Sequence, residues 1–146
     1  MLLEAGVTGI VILALAVVVA VGFGLFRRAT DGDFGSEPVS HTWGHVSDAL
    51  PAASLGERAT LVQFSSAFCA PCRTTRVVLA DVAQREIGVR HVEIDAEKHL
   101  DLVRALDVRR TPTTLVLDSR GHEVARAAGA PQRAQVLAAL PTGADS

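Results

Sequence analysis

Cysteine and lysine are both scarce in this 146-residue chain, and each scarcity removes a class of function. The two cysteines, Cys69 and Cys72, are too few for the disulfide framework of a small secreted scaffold. Two thiolates do not close a structural zinc site without two further ligands. His41, His45, His91, His99 and His122 read as ordinary surface or strand histidines, so no metal is expected. Lys98 is the only lysine, and the arginines that make up the remaining basic residues form no long basic run. With a formal net charge of −2, the chain carries no electrostatic footprint for nucleic acid or for an anionic membrane surface. It also lacks a phosphate-cradling glycine-rich loop and any internal repeat. The preference for arginine over lysine, with abundant alanine, fits a GC-rich bacterial genome.

Charge is missing altogether from Val7 to Phe26. About 20 residues at ~1.5 Å each span the roughly 30 Å hydrocarbon core of a bilayer. A buried soluble helix of that length would keep a polar face. A cleaved signal peptide would show a basic start, a shorter apolar core and a small-x-small end. Here Glu4 makes the start acidic, and the run ends Gly24-Leu25-Phe26-Arg27-Arg28. The expectation is a short tail, 1–6, followed by a retained transmembrane helix, 7–26, that fixes a single-pass protein in the lipid bilayer. Arg27 and Arg28 follow the span and no Lys or Arg precedes it. That asymmetry favours a cytoplasmic position for everything after the helix, with an extracytoplasmic domain as the alternative.

Residues 27–42, with Thr30, Asp31, Gly32, Asp33, Gly35, Ser36, Glu37 and Pro38, lack apolar periodicity and read as a polar tether. A domain over 43–140 follows, and 141–146 read as a frayed end. Trp43 is expected to pack on the first element of the domain, a short helix from His45 to Leu50. Thr60–Phe64 reads as a buried strand, Val89–Ile94 and Thr113–Leu117 as further strands, and His122–Ala128 as the second arm of a hairpin. Helical spacing marks Val77, Val78, Leu79, Val82 and Ala83, then Leu100–Leu106, then a last helix from Pro131 to Leu140. Strand, helix, strand, helix, strand, strand, helix predicts an α/β fold, a sheet with helices on both faces.

The two cysteines fall where the first strand gives way to a helix. Pro71 suits the first helical turn, where its missing N–H has no intrahelical partner. Cys69 then sits at the helix N-terminus, where free backbone N–H groups and the helix dipole favour a thiolate. This arrangement suits reversible thiol–disulfide exchange.

Three separated features together resemble the thioredoxin family. These are Phe68-Cys69-Ala70-Pro71-Cys72-Arg73 after an apolar strand, Val108-Arg109-Arg110-Thr111-Pro112-Thr113 before the next one, and Gly129 ahead of the last helix. The resemblance covers Trp43 to Leu140 and implies a thioredoxin-like fold, a mixed sheet flanked by helices. It implies that Pro112 is cis and lies beside the sulfurs, and that Thr111 offers backbone groups to an extended substrate segment. Phe68 and Pro71 complete the expected substrate-binding set. Cys69 is expected to attack a substrate disulfide and Cys72 to resolve the mixed disulfide. No cofactor is implied beyond the Cys69–Cys72 couple. The implied partners are proteins bearing disulfides or dithiols, and an electron donor such as a thioredoxin reductase or a membrane thiol carrier.

The chain departs from the family pattern at positions expected to tune the couple. Gln63 stands where the reductases usually carry a buried aspartate, Ser65 where an aromatic is usual, and Ala70 where glycine is usual; Arg73 follows the second cysteine. Glutamine has no titratable proton at physiological pH. A dedicated membrane-tethered reductase, with fewer partners than a housekeeping thioredoxin, is the leading expectation. An outward-facing exchange protein for exported proteins or cytochrome c maturation is the alternative, though Val89–Leu106 leaves no room for the insertion usual in such relatives. A metal-delivery or scaffolding module stands third, since a copper carrier would more readily show C-x-x-x-C and a scaffold would not need both thiols.

Overall fold

The computed structural model describes residues 2–30, 34–35 and 42–142, and the chain forms two units, Met1–Asp31 and Gly32–Ser146. His41, the rest of the tether and residues 143–146 lie outside the described residues.

The first unit is one helix, α1 (Leu2–Thr30). Within it Gly9–Arg27 is long and apolar enough to cross a membrane, and every described side chain there is exposed. The helix also takes in residues read as a tail and as the start of the tether. No proline interrupts Leu2–Gly6 or Arg27–Thr30, and an established helix adds a hydrogen bond for each residue it gains.

The second unit is built on a five-stranded sheet in the order β1-β5-β4-β2-β3. Its strands are β1 (Phe34–Gly35), β2 (Ala59–Ser65), β3 (Val89–Asp95), β4 (Thr113–Asp118) and β5 (Glu123–Ala128). Strands β2 and β3 are parallel and joined through α3 (Ala70–Arg85), while β4 and β5 run antiparallel to their neighbours. Strand β1 falls within the residues read as a polar tether, 27–42, and pairs with β5 through Phe34↔Ala127 and Gly35↔Arg126. Two residues carry no period, so composition alone could not mark it.

Strand β2 is buried along its whole length because helices cover both of its faces. On one face Val62, Phe64, Ile94, Leu115 and Leu117 pack with Val46 of α2 (Thr42–Ala49) and Leu102 of α4 (Leu100–Ala105). Trp43 is half-buried against the same cluster. Its backbone N–H donates to Gly121 O at 3.1 Å, which pins α2 to the β4–β5 turn. Gly121 has φ +84°, and a Cβ there would collide with the Trp43 side chain. On the opposite face Leu61, Leu79, Val82, Val116 and Val136 join α3 to α5 (Arg133–Ala139).

Candidate active site

The turn from β2 into α3 carries the two cysteines. Cys69 is the N-cap of α3, and its sulfur accepts the backbone N–H of Cys72 at 3.2 Å. Ala70 and Pro71 occupy the first helical turn, both exposed. Cys69 and Cys72 form a disulfide. Burial separates the two sulfur-bearing residues, since Cys69 is half-exposed whereas Cys72 is only 1% exposed. Phe68, just before the motif, is 101% exposed, an aromatic ring with no cover from the described residues. Arg73 is exposed immediately past Cys72.

The loop before β4 meets this turn from the side. Thr111 and Ser66 share a hydroxyl–hydroxyl hydrogen bond of 3.0 Å, tying the residue three before Cys69 to the residue before Pro112. The Thr111–Pro112 peptide bond is cis, and Pro112 is buried. Gly129 N–H donates to Pro112 O at 2.8 Å, and Arg110 Nη2 donates to Ala128 O at 2.6 Å. The three segments singled out in the sequence therefore converge at one end of the sheet.

Gln63 lies directly beneath. It is fully buried on β2, and its Nε2 donates to Cys72 O at 2.9 Å and to Ser65 Oγ at 2.8 Å. His91 Nε2 lies 3.0 Å from Gln63 Oε1. Ser65 Oγ also donates to the Glu93 carboxylate, which Arg76 of α3 grips through Nε and Nη2 at 2.6 and 2.7 Å. Burial pushes His91 below its ordinary value; Glu93 opposes the shift and Arg76 adds to it. For Glu93, burial works upward, but the hydrogen bonds from Arg76 and Ser65 and the charges of Arg76 and His91 outweigh it, so the carboxyl falls below its ordinary value.

Ser66, His91, Glu93 and Arg76 were not singled out by sequence. The signal available for two of them was alternation along β3. Parallel pairing sets His91 beside Leu61 and Glu93 beside Gln63, on the face that meets α3. Among the described residues no group of three or more His, Cys, Asp or Glu side chains could hold a metal ion.

The thioredoxin family model matches residues 50–142, more than half of the chain. The chain belongs to the thioredoxin family. Rice (Oryza sativa subsp. japonica) thioredoxin H4-1 is 30% identical over 104 residues, covering 70% of this chain and 76% of its own length. Arabidopsis thaliana thioredoxin H2 is 33% identical over 70 residues, 48% of this chain and 52% of its own. Among solved structures, spinach chloroplast thioredoxin F superposes with a TM-score of 0.51 at 21% identity, over 57% of this chain and 74% of its own. The reduced Schistosoma mansoni thioredoxin pre-protein gives 0.52 at 20%, over 65% and 86%. Those structures share the fold. With the family and the Cys69–Cys72 disulfide in place, this thioredoxin-family protein is a thiol–disulfide oxidoreductase.

Proposed function

We propose that this member of the thioredoxin family is a membrane-tethered reductase of protein disulfides, held by α1 with its catalytic domain on the cytoplasmic side. The observation that carries the exchange chemistry is the unequal exposure of the two cysteines at the N-terminus of α3. The tether draws on the apolar span Gly9–Arg27, and the side of the membrane on Arg27 and Arg28 at its end. In the reduced protein, the Cys69 thiolate attacks one sulfur of a substrate disulfide. A Cys69–substrate S–S bond forms, the substrate's own S–S bond breaks, and the departing thiolate takes a proton from water. Cys72 then loses its proton and attacks Cys69 Sγ. The intramolecular disulfide forms, the mixed disulfide breaks, and the second substrate thiolate leaves. Two electrons have passed from the dithiol to the substrate. An electron donor such as a thioredoxin reductase or a membrane thiol carrier restores the dithiol, and no cofactor beyond the couple takes part.

Protein substrates are favoured by the uncovered ring of Phe68 beside Cys69, with Pro71 next to it and Thr111 tied to the same loop through Ser66. Gln63, Ala70 and Arg73 tune the couple. The Cys72→Ala protein, expressed as the full chain, should accumulate mixed disulfides visible on non-reducing gels, and Cys69→Ala should accumulate none. Equal trapping by both variants would remove the assignment of attacking and resolving thiols.

The extracytoplasmic alternative draws on α1, which lies near the N-terminus, where a signal sequence would also lie. With Cys69 and Cys72 replaced, a Ser36→Cys protein decides between the two. A membrane-impermeant maleimide should leave it unlabelled in intact cells and label it after lysis. Labelling of the full-length chain in intact cells would place the domain outside, and loss of α1 from the mature protein would remove the tether.

A further inference from the structure

The steps of exchange give no task to His91, a partly buried titratable group on β3. Gln63 reads out its state. A carbonyl oxygen can only accept, so the amide NH2 of Gln63 must be the end that faces Cys72 O, and Oε1 must be the end that faces His91. Oε1 also only accepts, so His91 Nε2 carries a proton and donates it. Proton exchange is left to Nδ1. When Nδ1 is protonated the hydrogen bond to Gln63 persists, and the change is one added positive charge beneath the cysteine pair. His91 can receive that proton from solvent, because it lines an open cleft with Ala53, Ser54, Gln84 and Arg90.

We propose that His91 is a positioning residue for disulfide exchange. It holds the Gln63 amide against the Cys72 carbonyl and, by changing its own charge, couples the stability of the Cys69–Cys72 dithiol to pH. The proposal rests on exchange at this cysteine pair. The charged groups that act on His91 are Glu93 on its own strand and Arg76 from α3, which hold each other in a forked ion pair. Its partner from β2, Gln63, is neutral. The titrating charge nearest the Cys72 backbone through this network is therefore that of His91.

The sign follows from linkage. The disulfide is neutral, whereas the dithiol ionises to a thiolate that an imidazolium stabilises. A charged His91 thus favours the reduced state, and reduction in turn must favour the charged His91. Burial holds the imidazole below its ordinary value of 6.5, so the coupling operates on the acid side of neutrality.

The experiment follows the His91 ring proton by NMR through a pH titration of the full chain in detergent, once oxidised and once reduced, with the resonance assigned by its loss in His91→Gln. The expected result is a higher His91 midpoint in the reduced protein. The potential of the couple, followed against pH, should bend between those two midpoints in the wild type. That bend should be absent in His91→Gln, which keeps an N–H donor for Gln63 without the titration. Equal midpoints in both redox states would overturn the proposal, as would a bend that persists in His91→Gln, because a purely structural histidine behaves in that way. Failure of trapping by Cys72→Ala would instead count against the order of the two thiols and would leave the midpoint comparison intact.

Discussion

The two faces of β2 are filled by different rules. Val62 and Phe64 point into a dry layer closed by Val46, Ile94, Leu102, Leu115 and Leu117. On the other face Ala59 and Leu61 lie in an equally apolar layer with Leu79, Val82 and Val136, but the next two residues on that side are Gln63 and Ser65. Thr114, opposite Gln63 on β4, continues the polar patch. The layer turns from apolar to polar at the end of the sheet that carries the disulfide. One strand thus does two jobs by alternation. Its even-numbered residues stabilise the domain, and its odd-numbered residues change from packing to chemistry as they approach Cys69.

The comparison breaks first under large-to-small substitution on the dry face. Phe64→Ala should cost about 3–5 kcal/mol in urea denaturation, since a fully buried ring leaves a cavity that its neighbours fill only in part. Its exchange rate per folded molecule should stay near that of the wild type. Were the rate to fall with the stability, the division of labour between the faces would be lost.

Gln63→Leu tests the polar face. Cys72 O, Ser65 Oγ and the His91 N–H would lose a common partner, and each unsatisfied buried group costs about 1–3 kcal/mol, partly offset by the added apolar side chain. A net loss of about 1–3 kcal/mol is expected, together with an altered resolving rate in stopped-flow exchange. A variant with wild-type kinetics would show that the network only fills space.

Thr114→Val should do the reverse. Among the described residues Thr114 Oγ1 is a buried hydroxyl with no hydrogen-bond partner, and valine replaces it with a methyl of similar size. A gain of up to about 1 kcal/mol in denaturant is expected. A clear loss would mean that the hydroxyl has a partner in solution, such as a water molecule.

The smallest effect depends on pH. Folding depresses the proton affinity of His91, so its contribution to stability is complete above 6.5 and is lost as pH falls through the folded value. Glu93 is depressed as well, and its contribution is complete above 4.5 and is lost below that. Its partner Arg76 is half exposed, which screens the pair. Thermal melts should show a shallow decline in Tm starting just below pH 6.5, and His91→Gln should flatten that first part. An unchanged decline in that variant would assign it to another group.

Most of the fold was legible because β2, β3, β4 and α3 announce themselves by period. The observed ends of the three strands lie within one residue of the expected ones, and α3 takes in every residue that helical spacing marked between Val77 and Ala83. The site was legible where it is contiguous, in Phe68–Arg73, and at Thr111-Pro112. It was not legible where it depends on register. His91 is 28 residues from Gln63, and only the parallel pairing of β2 with β3 across α3 brings them onto one face. Nothing in the local pattern of Arg90-His91-Val92 distinguishes that histidine from a surface one. The extension of α1 through Thr30 and the two-residue β1 were missed for the reason that short or charged ends carry no periodic signal.

That two-residue strand has a consequence for how copies of the chain meet one another. The outer edge of β5 would otherwise present unpaired N–H and C=O groups, a template on which a neighbour's strand could nucleate. Phe34 and Gly35 occupy that edge at Ala127 and Arg126. A segment with the composition of a linker thereby acts as a guard strip over the Arg126–Ala127 stretch of that edge, from within the same molecule. Removing it would leave the Cys69–Cys72 turn untouched and still change the protein's sociability, adding a second open seam to the one that β3 already presents at the far edge of the sheet.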